Sequence, residues 1–242
     1  MEQTNKVFVI VTQLSSLVSY QQLLTSITSL DILSKRKKLR AFKQQLGKEL
    51  LGKFLAKHLD LKVDVEKLWG KEENGRPYLT NFNLDFNLSH SGDWLAIIIA
   101  PATPLYSVAI DIESKQTRNF LALLQSLGEQ GEKEFANQAL VRRLPTEEQR
   151  FYYLWCGREA LTKVRGGGIK DFSLIKSRVN SLQELEYTFS LVEKGKLIFI
   201  EETEFYLCVF ISYRLHGITF FFWQDEDFIE FKSQLSLVTK IN

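Results

Sequence analysis

Two carboxylates, Asp111 and Glu113, stand one residue apart at the end of the apolar run Val108-Ala109-Ile110-Asp111-Ile112-Glu113. Alternate side chains of an extended strand share a face, so both acids point the same way. Anions held side by side repel unless a cation neutralises them, and an oxygen-only pair suits a hard ion such as Mg²⁺ better than zinc. An exposed strand end would look the same. Glu159 and Lys163 are four residues apart on an expected helix, the spacing of an ordinary ion pair. Their neighbours are less ordinary: Leu154 and Trp155 supply an apolar anchor, Arg158 a further cation, and Gly166-Gly167-Gly168 follow. Glycine backbone beside a cation can approach phosphate through its amides, although glycines also commonly cap helices. Asn87-Leu88-Ser89-His90-Ser91 offers hydroxyls and an imidazole that can donate to phosphate or ribose oxygens. A hydrolase triad from Ser89 or Ser91, His90 and Asp93 is disfavoured, because adjacent residues on an extended chain face opposite sides and no nucleophile elbow is present. His58, His90 and His216 are scattered without metal-ligand spacing.

The elements that must position these groups follow from periodicity. Val7 to Thr12 reads as a strand. Leu39, Phe42, Leu46, Leu50, Phe54 and Leu55 recur at spacings of three and four, which predicts a helix with one apolar stripe. Asn74-Gly75 before Pro77 is a turn, and Leu95 to Ala100 and Ser107 to Ile112 are strands joined by a tight connection around Pro101 and Pro104. Asn119 to Leu144 is helical and polar, and a second helix runs from Thr146 or Glu147 to Lys163, stopped by the three glycines. Tyr187 to Val192 and Leu197 to Ile200 flank a hairpin turn at Glu193-Lys194-Gly195-Lys196. Tyr206 to Ser212 and Ile218 to Trp223 are further strands, and the residues from about Gln224 read as a polar-amphipathic tail. The expected fold class is α+β, with units 1–105 and 106–223 and a tail 224–242.

At 242 residues, 45% hydrophobic and 25% charged, the chain has the balance of a globular protein with a sizeable core, which excludes disorder and low complexity. Two cysteines cannot build a disulfide framework, and the first residues lack the pattern of a signal peptide, so a reducing cytoplasm is expected. No run is long and apolar enough to span a bilayer. The net charge of +2 is uneven. Lys35 to Lys57 holds nine cations and one acid, a balance of +8 that leaves −6 for the rest. Such a field favours a polyanionic ligand, or else marks a solvated helix face. Nucleic-acid binding is disfavoured, because neither stacking aromatics nor a helix-turn-helix pattern accompanies the charge.

Taken in order, these motifs resemble the 4′-phosphopantetheinyl transferases, of the long, surfactin-synthetase-activating type. Gly75-Arg76-Pro77-Tyr78 is similar to the family's G-K-P, Asn87 to Ser91 to N-x-S-H-S, and Val108 to Glu113 to V-G-I-D-I-E. Trp155 to Lys163 with Gly166 to Ile169 resembles W-x-x-K-E-A-x-x-K and G-K-G-L, and the basic run from Lys35 the N-terminal segment. The resemblance implies two similar subdomains in a pseudo-twofold arrangement with the active site in the cleft between them. It implies an enzyme of the holo-[acyl-carrier-protein] synthase class, a cytoplasmic monomer. Its reaction moves the phosphopantetheine arm of coenzyme A to a serine of an acyl, peptidyl or aryl carrier protein and releases adenosine 3′,5′-bisphosphate. Asp111, Glu113 and Glu159 match the carboxylates that hold Mg²⁺, and Lys163 the lysine on the pyrophosphate side. Glu132 matches the acid that takes the serine proton, chosen among Glu129, Glu132 and Glu134 because Phe135 follows. Arg76 and His90 match groups on the 3′-phosphate, Lys35, Lys38 and Lys48 the basic N-terminal positions, and Ser89 a residue beside the nucleotide. Three positions depart from the pattern: Ala109 for glycine, Arg158 for the lysine before Glu159, and Gly167 for the middle lysine of G-K-G. A non-catalytic homologue that binds carrier protein or coenzyme A is the alternative.

Overall fold

Branched residues every other position make β1 (Val7–Gln13), whose two faces are both buried and which therefore lies inside the molecule. The computed structural model describes residues 6–102, 108–180, 184–190, 192 and 194–242. After β1 come α1 (Val18–Ser26), α2 (Ile32–His58), α3 (Val65–Leu68), β2 (Trp69–Lys71), β3 (Pro77–Leu79), β4 (Leu84–Ser91), β5 (Trp94–Pro101) and β6 (Val108–Ser114). The middle is helical: α4 (Phe120–Leu124), α5 (Gly128–Phe135), α6 (Gln138–Arg143) and α7 (Glu147–Lys163). The remainder is strand: β7 (Lys176–Val179), β8 (Leu185–Thr188), β9 (Gly195–Glu201), β10 (Phe205–Ser212), β11 (Ile218–Gln224), β12 (Asp227–Phe231) and β13 (Leu235–Ile241). Five strands form one sheet in the order β12-β11-β1-β5-β4, six form a second in the order β6-β10-β9-β13-β8-β7, and β2 and β3 make a small hairpin. The α+β class expected from sequence is the class observed.

Strand parity sorts the side chains into layers. Val7, Val9 and Val11 of β1 meet Val108, Ile110 and Ile112 of β6 and Leu207, Val209 and Ile211 of β10 in a core shared by the two sheets. Ile10 instead joins Leu46, Leu50, Leu51, Phe54 and Leu55 of α2. Burying side chains of this size stabilises by roughly 1.5–3 kcal/mol each. That outweighs the repulsion among the cations of α2, about 0.2–0.5 kcal/mol per like-charged pair one turn apart. Asp31 caps α2 by accepting from the amides of Leu33 and Ser34 at 2.9 and 3.0 Å. On the far side, Ala109 joins Leu154, Cys156, Leu161, Tyr206, Cys208 and Phe210 in a core beneath α7. A reciprocal capping box between Thr146 and Gln149 starts α7 where the sequence predicts it. The layers therefore run helix, sheet, sheet, helix.

The two sheets meet along an unusual seam. β4 ends one sheet and β6 ends the other, so β6 presents an unpaired row of backbone N–H groups. Side chains at every second position of β4 meet that row: Asp85 Oδ2 accepts from the Val108 amide at 3.0 Å, and Asn87 Oδ1 and Ser89 Oγ accept from those of Ile110 and Ile112 at 3.3 Å. Ser114 Oγ closes the row by donating to the Ser91 carbonyl at 2.7 Å.

Four expectations need correction. The segment 87–91, expected from the sequence only to precede the first strand of a pair, is itself part of a strand, β4. β5 and β6 do not pair but belong to different sheets, while their connection at 103–107 and the expected boundary between residues 105 and 106 lie outside the described residues. β8 and β9 form no hairpin, because β13 lies between them, antiparallel to β9 and parallel to β8. The supposed tail from 224 supplies β12 and β13, whose mixed polar and apolar pattern reflects strands with one face to solvent. β11 also returns to the first sheet, parallel to β1, so the chain crosses between the sheets after β10.

Candidate active site

Parity on β6 sets the site. Ile110 and Ile112 point into the core between the sheets, and the intervening Asp111 and Glu113 turn toward α7. Asp111 is only 3% exposed. Its Oδ1 accepts from Lys163 Nζ at 2.5 Å and from Ser89 Oγ at 2.8 Å, and Lys163 Nζ also donates to Ser89 Oγ at 2.9 Å. With the Ile112 amide, Ser89 Oγ thus uses one donor and two acceptor positions, the full capacity of a hydroxyl. Asp111 Oδ2 is buried without a hydrogen-bond partner. Glu113 accepts from Ser91 Oγ at 2.5 Å and from Trp155 Nε1 at 3.2 Å, so the apolar anchor read in the sequence also orients a carboxylate.

Glu159 and Lys163 face these acids from α7. Burial raises the Glu159 carboxyl above its usual range; Lys163 opposes that shift, and Asp111 and Glu113 reinforce it. Glu113 is raised by burial first and by the neighbouring Asp111 charge second. Burial would depress Lys163, but Asp111 and Glu159 outweigh it and the ammonium is held above its ordinary value. The sequence-derived set Ser89, Asp111, Glu113, Glu159 and Lys163 is therefore one electrostatic cluster. Among the described residues no group of three or more His, Cys, Asp and Glu side chains is arranged to hold a metal ion. The thiols of Cys156 and Cys208 are fully buried; burial first and the Asp111 charge second push both well above the usual range, which removes them as nucleophiles.

His90 alternates with Ser89 and points away from it. The protein packed around the imidazole, then the charges of Lys43, Lys163 and Arg40, push its pKa down to about 4. Its surface is nonetheless exposed, which leaves the ring open to an incoming group. Asp93 accepts from the Ser15 amide at 2.8 Å and from the Ser15 hydroxyl, so Ser89, His90 and Asp93 form no triad.

The remaining predicted residues divide. Lys35 and Lys38 lie on the first two turns of α2, where Arg36, Lys37, Lys38 and Arg40 are exposed. Lys48 is turned toward Glu66 at 2.9 Å and lies over the Trp69 ring. Arg76 is 2% exposed, and its guanidinium donates to Asp85, to the Val108 carbonyl and to the Lys163 carbonyl inside the protein. That differs from an arginine held out for a phosphate, the role expected from sequence. Glu132 is exposed on α5 and makes no side-chain hydrogen bond or ion pair among the described residues. Two residues further, Glu134 is buried against Arg158 at 2.5 Å, and Glu129 pairs with Lys133 at the surface. The glycine turn is tight: a Cβ at Gly167 would lie 2.3 Å from Asp171 Oδ2, so no side chain fits there without a shift.

Sequence reasoning missed Asp85, Asn87 and Ser91 as seam residues and Glu134 as the partner of Arg158. Polar residues at every second position of 85–91 were the available signal for the first three.

Comparison with known proteins bears out the family resemblance. Residues 107–213 match the model of the 4′-phosphopantetheinyl transferase superfamily. A Haemophilus influenzae protein named "Putative 4'-phosphopantetheinyl transferase" is 34% identical over 158 residues, 64% of this chain and 63% of that protein. The 4′-phosphopantetheinyl transferase psf-1 of Bacillus pumilus is 29% identical over 125 residues, 50% of each chain. The chain thus spans less than two thirds of the length of either relative.

Proposed function

Since residues 107–213 match the model of the 4′-phosphopantetheinyl transferase superfamily, we propose that this chain transfers the 4′-phosphopantetheine group of coenzyme A to a serine of an apo carrier protein of acyl, peptidyl or aryl type. Adenosine 3′,5′-bisphosphate leaves. The observation that carries the reading is the buried Lys163-Asp111-Ser89 contact with Glu113 and Glu159 beside it, at the seam between the sheets.

Displacement at the β-phosphorus sends negative charge onto the leaving phosphate, and groups already aimed at that charge lower the barrier. Lys163 keeps its proton throughout the neutral range, because the acids around it raise its pKa. It is the cation that meets the diphosphate. Ser89 orients Lys163 and Asp111 together. His90, largely neutral at pH 7 with its pKa near 4, offers an N–H to the 3′-phosphate, and the positive ends of Lys35 and Lys38 add charge to the same anion. Lys48 contributes once its contact with Glu66 yields. Glu132, exposed and unengaged by the cluster, takes the proton of the carrier serine directly or through water.

The donor chemistry fits Mg²⁺: the available ligands are carboxylate oxygens, and Asp111 Oδ2 is buried without a partner. Asp111, Glu113 and Glu159, which are not grouped as metal ligands in the resting chain, would hold the ion once drawn together, and it would then neutralise diphosphate charge. The basic face of α2 suits an acidic carrier surface. No helix among the described residues is long and apolar enough to cross a membrane, and the two free thiols suit a reducing, cytoplasmic compartment.

The test is incubation with coenzyme A, Mg²⁺ and an apo carrier protein, followed by mass spectrometry for the gain of one phosphopantetheine. Glu159→Gln should abolish the gain while leaving the melting temperature near that of the wild type. Undiminished transfer by this variant, or none by the wild type across acyl, peptidyl and aryl carriers, would remove the reading.

A further inference from the structure

The three elements that carry the Lys163-Asp111-Ser89 cluster meet at one side chain. β4 carries Ser89 and His90, β6 carries Asp111 and Glu113, and α7 carries Glu159 and Lys163. Arg76 Nη2 donates to Asp85 Oδ1 on β4 at 2.6 Å and to the carbonyl of Val108, the first residue of β6, at 2.8 Å. Arg76 Nη1 donates to the carbonyl of Lys163, the last residue of α7, at 2.7 Å. The second oxygen of Asp85 accepts from the Val108 amide at 3.0 Å, which closes the junction. A cation is well placed at a helix C-terminus, where carbonyls lack partners in the helix.

The hairpin that delivers Arg76 is fitted to the same place. Gly75 turns the chain with φ +88, and the Arg76 amide is fixed by Asn74 Oδ1 at 2.9 Å. Asn74 presses on the turn after α7 so closely that a Cβ at Gly166 would lie 2.5 Å from its amide group. A planar fork with several donors can serve three acceptors at once, whereas an ammonium is a single point.

We infer that Arg76 is a positioning residue of the transfer reaction, whose guanidinium ties the backbone of Lys163 to the start of β6 and so sets the approach of Lys163 Nζ to Asp111. The inference rests on the proposed transferase reading. It replaces the 3′-phosphate contact expected for Arg76, since both terminal nitrogens of its guanidinium are engaged inside the protein and the residue is only 2% exposed.

The experiment compares the wild type with Arg76→Met, Arg76→Lys and Asp85→Asn, each checked for folding by near-UV circular dichroism. Calorimetry gives Kd for coenzyme A and for dephospho-coenzyme A, which lacks the 3′-phosphate, and carrier modification gives kcat and KM. A clamp lowers kcat by about tenfold to a hundredfold in Arg76→Met, with KM for coenzyme A within about threefold. The ratio of the two Kd values stays within about twofold of the wild-type ratio, because the phosphate contact lies elsewhere. Asp85→Asn should show the same split although Asp85 has no assigned ligand contact, and Arg76→Lys a smaller version of it. A loss confined to KM, with the Kd ratio falling toward one, would overturn the inference and make Arg76 a phosphate ligand. If Arg76→Met does not fold, Arg76→Lys and Asp85→Asn decide by the same criteria. A wild type that binds coenzyme A yet modifies no carrier would sink the transferase reading; the Kd ratios would still decide whether Arg76 touches the phosphate.

Discussion

Glu134 and Arg158 form an ion pair at 2.5 Å with 3% of each side chain exposed, and Arg158 also donates to the Leu154 carbonyl at 3.2 Å. Glu134→Leu would leave a guanidinium buried without its counter-charge. Breaking one side of such a pair costs about 3–5 kcal/mol, whereas replacing both sides by apolar groups is often neutral. For a chain of this length each kcal/mol is about 2–4 °C of Tm, so Glu134→Leu should melt roughly 6–20 °C below the wild type. Glu134→Leu with Arg158→Leu should recover most of that loss. Four proteins followed by circular dichroism through thermal and urea unfolding give the coupling energy, expected at about 2 kcal/mol or more. A single variant within about 1 kcal/mol of the wild type, or a double variant equal to the sum of the singles, would refute the buried pair. The result also bears on the reaction: Glu134→Leu should keep transfer at a permissive temperature, whereas Glu132→Gln should lose transfer and keep its Tm.

Four further outcomes are expected. Ser89→Ala strips the hydroxyl shared by Asp111, Lys163 and the Ile112 amide, and should cost about 1–3 kcal/mol in urea unfolding together with a fall in kcat. An NMR titration of His90 should find a midpoint near 4 that moves upward when coenzyme A binds, because a phosphate favours the imidazolium; a midpoint at 6.5 or above in the free protein would contradict the crowding of Lys43, Lys163 and Arg40. With a folded pKa below the unfolded one, this histidine contributes stability above about pH 6.5 that is lost as the pH falls toward 4, and His90→Asn should flatten that part of the profile. Removing residues 233–242 takes β13 from between β9 and β8, and should give insoluble or molten protein on gel filtration and circular dichroism, where loss of a tail would have changed nothing.

What could be read in advance was local. The start of α7 follows from Thr146 and Gln149, its end from three glycines, and the shared face of Asp111 and Glu113 from strand parity. Partner choice between strands could not be read, because it is decided by residues far apart: nothing between 187 and 200 announces that 235–241 lies in the middle. β4 was obscured because its polar positions face another sheet and not water, so burial and polarity part company there. The inward setting of Arg76 was hidden for a related reason. A charged side chain is usually exposed, and only the meeting of Asp85 with two backbone carbonyls makes a buried one stable.

The seam between β4 and β6 has a kinetic consequence. The amides of Val108, Ile110 and Ile112 are covered by side-chain oxygens of the facing sheet and by no strand backbone. Their protons can pass to solvent when the halves breathe apart by a small distance, without either sheet unravelling. Deuterium uptake at these three positions is thus a clock for how often β4 and β6 separate, readable in the resting protein and stopped by whatever closes the seam.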